Sequence, residues 1–244
     1  MKRFYQIIMF VLTIVLLTGC LYPEEQLEKN QVPNDVQLET VQLAIDQYRE
    51  ANNGTLPIKN RDSDTPIFQK YPIDFKILKQ YGHISSTPGN AFEEGGYYQY
   101  VLIDPETSPT VKVLDLRTID KMREVYMDLE LFRTEHIYPP FGQDIAPGIY
   151  ELDYEKLGYD EPLYVDSPYS THQLPIIMDS NGVLFVDYRK DVYDILRKED
   201  HNYKDGDDIR YLLTDFYPIA PAYAYPLTIE NGEPVFLNDT KKEK

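Results

Sequence analysis

The chain has a single cysteine among its 244 residues, Cys20. One thiol cannot build an internal disulfide framework, and it cannot supply a cysteine-rich zinc or iron–sulfur site. Tryptophan is absent, which weakens a case for stacking sugar rings, although tyrosine can take that role. Basic residues are scarce: 24 Lys and Arg stand against 41 Asp and Glu, a formal net charge of −17. A field of that sign argues against nucleic acid as a partner and against holding an anionic membrane through a basic surface. The four histidines are His83, His136, His172 and His201, and no two lie three or four residues apart, so there is no local histidine metal motif. Gly-x-Ser-x-Gly, Walker and dinucleotide-binding signatures are missing as well. No cofactor, no metal and no enzymatic activity are expected on these grounds. What the chain does have is 42% hydrophobic and 13% aromatic residues, enough to pack a core over this length.

The N-terminus carries the sharpest pattern. Lys2 and Arg3 precede an apolar run from Ile7 to Leu17, interrupted only by Thr13, and Leu17-Thr18-Gly19-Cys20 follows directly. Eleven helical residues reach only about 16 Å, half of a ~30 Å hydrocarbon layer, so the run reads as a secretory signal and is short for a permanent span. The tetrapeptide resembles the bacterial lipobox. That resemblance implies a diacylglyceryl group on the Cys20 thiol and cleavage just before it, giving a signal peptide over 1–19 and lipid attachment at Cys20. Small Thr18 and Gly19 leave room for the peptidase, and two acyl chains anchor stably where one would not. Cleavage would remove two cations and no acid, leaving 22 basic against 41 acidic residues and a charge of −19. An anionic lipid surface repels such a domain, so it would stand off the membrane on the Pro-, Glu- and Gln-containing segment 20–34, a flexible tether.

Beyond the tether the chain repeats a pattern. Asp74–Leu78, Asp153–Leu157 and Asp208–Leu212 each read Asp, apolar, charged, any, Leu. Each is followed by a predicted hairpin: Tyr100–Asp104 with Val111–Leu116, Leu174–Met178 with Val183–Tyr188, and Leu227–Ile229 with Val235–Leu237. Asn181-Gly182 and Asn231-Gly232 supply turns that tolerate positive φ. Val111–Arg117 also aligns position by position with Val183–Arg189. Helices are predicted ahead of these units. Leu38, Val41, Ile45 and Tyr48 line one face, with Asn34 and Gln37 as a capping box and Asn53-Gly54 as the stop; Ile119, Met122, Tyr126 and Leu129 line another, stopped by Pro139-Pro140; Val192, Ile195 and Leu196 mark a third. The fold class is therefore α+β, with two or three helix–turn–β-hairpin units packed as one body. The expected boundaries are 35–117, 118–189 and a divergent 190–239, with a charged tail at 240–244. One hairpin per unit cannot cover its own faces, so the copies must pack on each other.

Tyr48-Arg49-Glu50-Ala51-Asn52-Asn53-Gly54-Thr55-Leu56-Pro57, followed by Leu78, Gly82-His83-Ile84 and Pro88, resembles the globular part of type II pseudopilins. The likeness covers about fifty residues. A prepilin is cut before a long apolar helix, whereas here the segment after the lipobox is polar, so pilus assembly is not implied. The lipobox, the length and the Lys/Glu/Tyr-rich composition together resemble Gram-positive lipoproteins of the YphF type. That resemblance implies attachment through Cys20 to the outer face of the cytoplasmic membrane and brings no activity with it.

Two further features invite chemistry. The loop Asp200–Asp208 suggests calcium, but placing Gly206 at the sixth EF-hand position puts His201 and Tyr203 at the first and third and Leu212 at the twelfth, which fails. Twenty-two tyrosines concentrate at Tyr97–Tyr100 and Tyr217–Pro226; these are expected to be half-buried strand and turn residues, the alternative for the second being a polyproline-like surface segment open to a partner. The functional expectation is a lipid-anchored extracytoplasmic interaction or accessory protein of the cell envelope, with an envelope protein as partner. The alternative is the solute-binding lipoprotein of a transporter, marked by a cleft lined with polar groups and Tyr; below it stands a cell-wall hydrolase. Ligand-binding residues are not assignable from the sequence.

Overall fold

The computed structural model describes residues 35–237. The expected signal 1–19, Cys20, the expected tether 20–34 and the expected tail 240–244 lie outside the described residues, as does Asn34 of the expected capping box. The architecture is mixed helix and sheet, α+β as expected.

Helix α1, Asp35–Ala51, buries Leu38, Val41, Ile45 and Tyr48, the stripe that its 3-4-3 spacing predicts, together with Ala44. It ends as expected: Asn53 and Gly54 take φ of 54° and 85°, and the Gly54 amide reaches back to the Arg49 carbonyl at 2.9 Å. A short helix α2, Phe75–Gln80, starts on Asp74, whose carboxylate accepts from the amides of Lys76 and Ile77. Strands β1, Tyr98–Ile103, and β2, Thr110–Asp115, form the first hairpin, with Tyr98 opposite Asp115 and Ile103 opposite Thr110. Tyr98 and Tyr100 are wholly buried there, the Tyr100 hydroxyl donating to Asn90 Oδ1 at 2.7 Å.

Helix α3, Leu116–Glu135, follows β2 without a loop. Its buried face is Thr118, Met122, Val125 and Leu129. The expected stripe through Ile119 and Tyr126 is thus rotated by about one residue; Tyr126 is 52% exposed and Ile119 packs on a smaller cluster. The middle of the chain also holds more strands than a single hairpin. β3 (Phe141–Ala146), β4 (Ile149–Leu152), β5 (Tyr164–Asp166), β6 (Gln173–Asp179) and β7 (Leu184–Val186) form one five-stranded antiparallel sheet, with β6 bonded to β4, β5 and β7. Helix α4, Arg189–Lys198, buries Val192 and Ile195. After it come a short helix α5, Tyr211–Phe216, and the last hairpin, β8 (Leu227–Glu230) with β9 (Glu233–Phe236). That hairpin turns on Asn231-Gly232, both at positive φ, as two-residue hairpin loops require.

The Tyr217–Pro226 segment has no exposed residue, its middle being buried and its ends half-buried, so it is no open surface for a partner. Three prolines keep it from being a regular strand, yet it adds to both sheets. Around Ile219 it bridges in parallel to Val113 of β2, with the Ala220 amide on the Val113 carbonyl at 2.8 Å. Around Ala224 it bridges to Val186 of β7, whose amide reaches the Tyr223 carbonyl at 2.9 Å. Tyr223 makes the bend between them at φ 56°. Side chains pin this strap: Tyr188 Oη donates to the Ala222 carbonyl at 3.0 Å, and the Lys112 ammonium donates to the carbonyls of Thr214 and Tyr217. Burial pushes the Lys112 pKa down. The strap joins the core under α1 and the β1–β2 hairpin to the larger core under α3, α4 and the five-stranded sheet.

Candidate functional site

Cys20 lies outside the described residues, so the geometry concerns the folded body alone. The four histidines stay apart in role. His83 meets the Tyr48 ring edge-on, His136 stacks on Phe132 at the end of α3, His172 bonds Asp194, and His201 faces Tyr203. Among the described residues no three His, Cys, Asp or Glu side chains group as a metal site, and the 200–208 loop is included in that statement. No helix among them is long and apolar enough to cross a membrane.

The aligned heptapeptides do carry a shared device. In Asp115-Leu116-Arg117 the carboxylate accepts from the Arg117 backbone amide at 2.9 Å and takes the guanidinium fork, Nε at 2.9 Å and Nη2 at 2.5 Å. Asp187-Tyr188-Arg189 does the same at 3.0, 2.9 and 2.7 Å. Asp208-Ile209-Arg210 repeats it, and there the guanidinium also donates to the Ala224 carbonyl of the strap at 2.8 Å. A bidentate fork on a carboxylate is a strong, directional bond. It starts α3 and α4 directly at the ends of β2 and β7. Asp115 and Asp187 are buried by it, which removes them as free acids.

A cavity lies beside each of the first two clasps. The first, about 380 Å³, sits between the opening turns of α3 and strand β5, with Arg117, Lys121, Tyr164, Asp166 and Ser167 in its wall. The second, about 580 Å³, opens beside α4 and is walled by Gln173, Arg189, Lys190, Tyr193 and Glu233. Strand pairing links them: Tyr164, Val165 and Asp166 are paired with Pro175, Leu174 and Gln173, so the β5–β6 ribbon contributes a wall to both.

The turn of that ribbon is held by Asp191, a carboxylate only 2% exposed on α4. Ser167 Oγ donates to its Oδ2 at 2.8 Å and Ser170 Oγ to its Oδ1 at 2.7 Å. The same two hydroxyls accept from the amides of Tyr169, Ser170 and His172. Burial pushes the Asp191 pKa up, and the two serine donors partly offset it. The hydroxyls point their protons at a carboxylate, and His172 Nε2 is engaged 2.7 Å from Asp194, so the cluster positions a loop instead of activating a nucleophile. Sequence reasoning reached the clasps only as an unexplained alignment and missed Asp191, Ser167 and Ser170. No spacing signals them, because their partners lie 21 to 24 residues away.

Residues 34–115 match the family model for the YphF family N-terminal domain. The match ends on Asp115, the last residue of β2 and the first of the clasp. No curated protein and no solved structure matches the chain, so the pseudopilin likeness rests on its sequence motif alone. The family match supports a YphF-type protein.

Proposed function

We propose that this is a lipid-anchored extracytoplasmic protein, held through Cys20 to the outer face of the cytoplasmic membrane, that works by engaging another component of the cell envelope. The lipobox pattern supports the anchor. One structural observation favours the interaction: α3 carries Met127 and Leu131 one turn apart on the side away from its buried stripe, 65% and 69% exposed, and Ile137 and Tyr138 continue just beyond its end at 91% and 75%. A solvated helix face in so acidic a chain should be polar; a run of large apolar side chains there fits a surface that is covered in use. Flanking ion pairs, Arg123 with Asp120 and Arg133 with Glu130, give it a polar rim.

Two measurements test this. Cys20→Ser should abolish incorporation of a fatty-acid label and release the protein from the membrane fraction; a variant still labelled and still membrane-bound would remove the anchor from the reading. A photo-crosslinking residue at 131 should capture the same envelope component in repeated experiments on intact cells, and one at the exposed Glu39 of α1 should not. Equal, irreproducible capture at both would defeat the interaction reading.

We infer that 35–117, 118–189 and 190–239 are copies of one helix–turn–hairpin unit, the middle one enlarged by three further strands, supported by a helix ahead of each closing hairpin and by the matching clasp after the first two hairpins.

A further inference from the structure

Resting on the interaction proposed above, and adding to it the chemistry of the partner, we infer that the exposed face of α3 takes an amphipathic helix whose apolar stripe is edged with Lys or Arg.

The partner must bring a backbone that is already satisfied. A helix uses its own N–H and C=O groups internally, so the face of α3 offers side chains alone and cannot be extended by an added strand as a sheet edge can. Met127 and Leu131 stand four residues apart and so meet on one face, both largely exposed. A row of that spacing is the ridge that packs into the grooves of a second helix.

Charge decides which helix fits. From Asp120 to Glu135, α3 holds five acids and three bases. Each base is engaged by an acid of the same helix: Lys121 by Glu124 at 2.9 Å, Arg123 by Asp120 at 3.0 Å and Arg133 by Glu130 at 3.4 Å. That leaves Asp128 and Glu135. Asp128 accepts from the Tyr159 hydroxyl, a neutral donor, and Glu135 is exposed with no ion pair among the described residues. They lie three residues before and four residues after Leu131, so both adjoin it, and a separation of two turns puts them on the same flank of the apolar row. Negative charge without a counter-charge beside an apolar row selects its partner by sign. An anionic bilayer is repelled, and so is a second copy, which would bring another −17 and the same acidic flank. A helix with Lys or Arg along one edge answers Asp128 and Glu135 while its apolar side chains cover Met127 and Leu131.

The test uses the full-length chain in a neutral detergent with a photo-crosslinking residue at position 131. It is mixed with two synthetic amphipathic helices of the same Leu spacing, one flanked by Lys and the other by Glu. Capture of the Lys peptide should saturate, and the Glu peptide should be captured about tenfold less, since several charges change sign together. Glu135→Lys should cut capture of the Lys peptide about fivefold, as reversal of one exposed charge. Glu39→Lys, the same charge change on the exposed side of α1, should leave it unchanged. Equal capture of the two peptides, or an equal loss from Glu39→Lys, would overturn the assignment. In intact cells the segment captured at 131 should read as a helix-period apolar stripe edged with Lys or Arg. Reproducible capture of a lipid, of a second copy or of a segment without that edge sinks the basic-helix assignment and leaves the wider interaction standing; irreproducible capture removes both.

Discussion

Replacing Tyr188 with Phe removes one oxygen from the interior and leaves the ring, its rotamer and its neighbours in place. Tyr188 is 1% exposed, and burial holds its hydroxyl pKa far above the usual tyrosine value. That hydroxyl donates to the Ala222 carbonyl at 3.0 Å, at the middle of the strap that joins the two sheets. Ala222 is itself buried, so Phe leaves a carbonyl facing a small void with no water to replace the donor. An orphaned buried acceptor costs about 1–3 kcal/mol, and in a chain of this size each kcal/mol moves Tm by about 2–4 °C. Urea unfolding followed by circular dichroism should show a lower midpoint at unchanged slope, since neither state changes its exposed area. Tyr169→Phe is the comparator: its hydroxyl reaches the neighbouring Ile219 carbonyl only at 3.3 Å, so its loss should cost less. If Tyr188→Phe shifts stability by less than about 0.5 kcal/mol, or by no more than Tyr169→Phe, the strap is not held by this bond and the reasoning fails.

Two other variants probe separate parts of the fold. Asp191 has its folded pKa raised by burial above the unfolded value of about 3.9, so its stabilising contribution is full below that unfolded value and is lost as pH rises through the folded one; wild type should therefore gain stability relative to Asp191→Asn as pH falls from 7 toward 4, and a difference that is flat with pH would contradict it. At Gly96 an added Cβ would run into the backbone carbonyl of Asn90, a group that cannot swing aside. Gly96→Ala should destabilise by about 1–3 kcal/mol; an unchanged urea midpoint would refute the close approach.

How far the sequence reaches differs from element to element. The α1 stripe came through intact because Leu38, Val41, Ile45 and Tyr48 form a continuous row on one face, whereas the other large apolar residues, Val36 and Leu43, are isolated on the opposite side and stay exposed. The hairpins came through because short runs rich in β-branched and aromatic residues, and the Asn-Gly turns of the last two, are local signals. On α3 the same method chose Ile119 and Tyr126 over Thr118 and Val125. Both stripes share Met122 and Leu129, and α3 has apolar side chains around most of its circumference, so the rotation of the helix about its axis was decided by the sheet it lies on. The Tyr217–Pro226 strap had no periodicity to read. Its burial comes from partners at Val113 and Val186, about a hundred and about forty residues earlier. The candidate cavity is of the same kind: Lys121 and Asp166 are far apart in the chain and border one cavity only because α3 packs along β5.

The sequence by itself determined the elements with local codes: one helical stripe, three hairpins and the turns of the last two, the Asp-x-Arg pairs as an alignment, and the expectation of a lipid anchor at Cys20. Tertiary structure alone decided which face of α3 is buried, that a proline-broken segment completes two sheets, and that Asp191 of α4 holds the turn between β5 and β6. The division follows from the range of the forces. Backbone hydrogen bonding and amphipathic period act within a few residues, whereas burial and charge complementarity depend on which distant surfaces the packed core brings together.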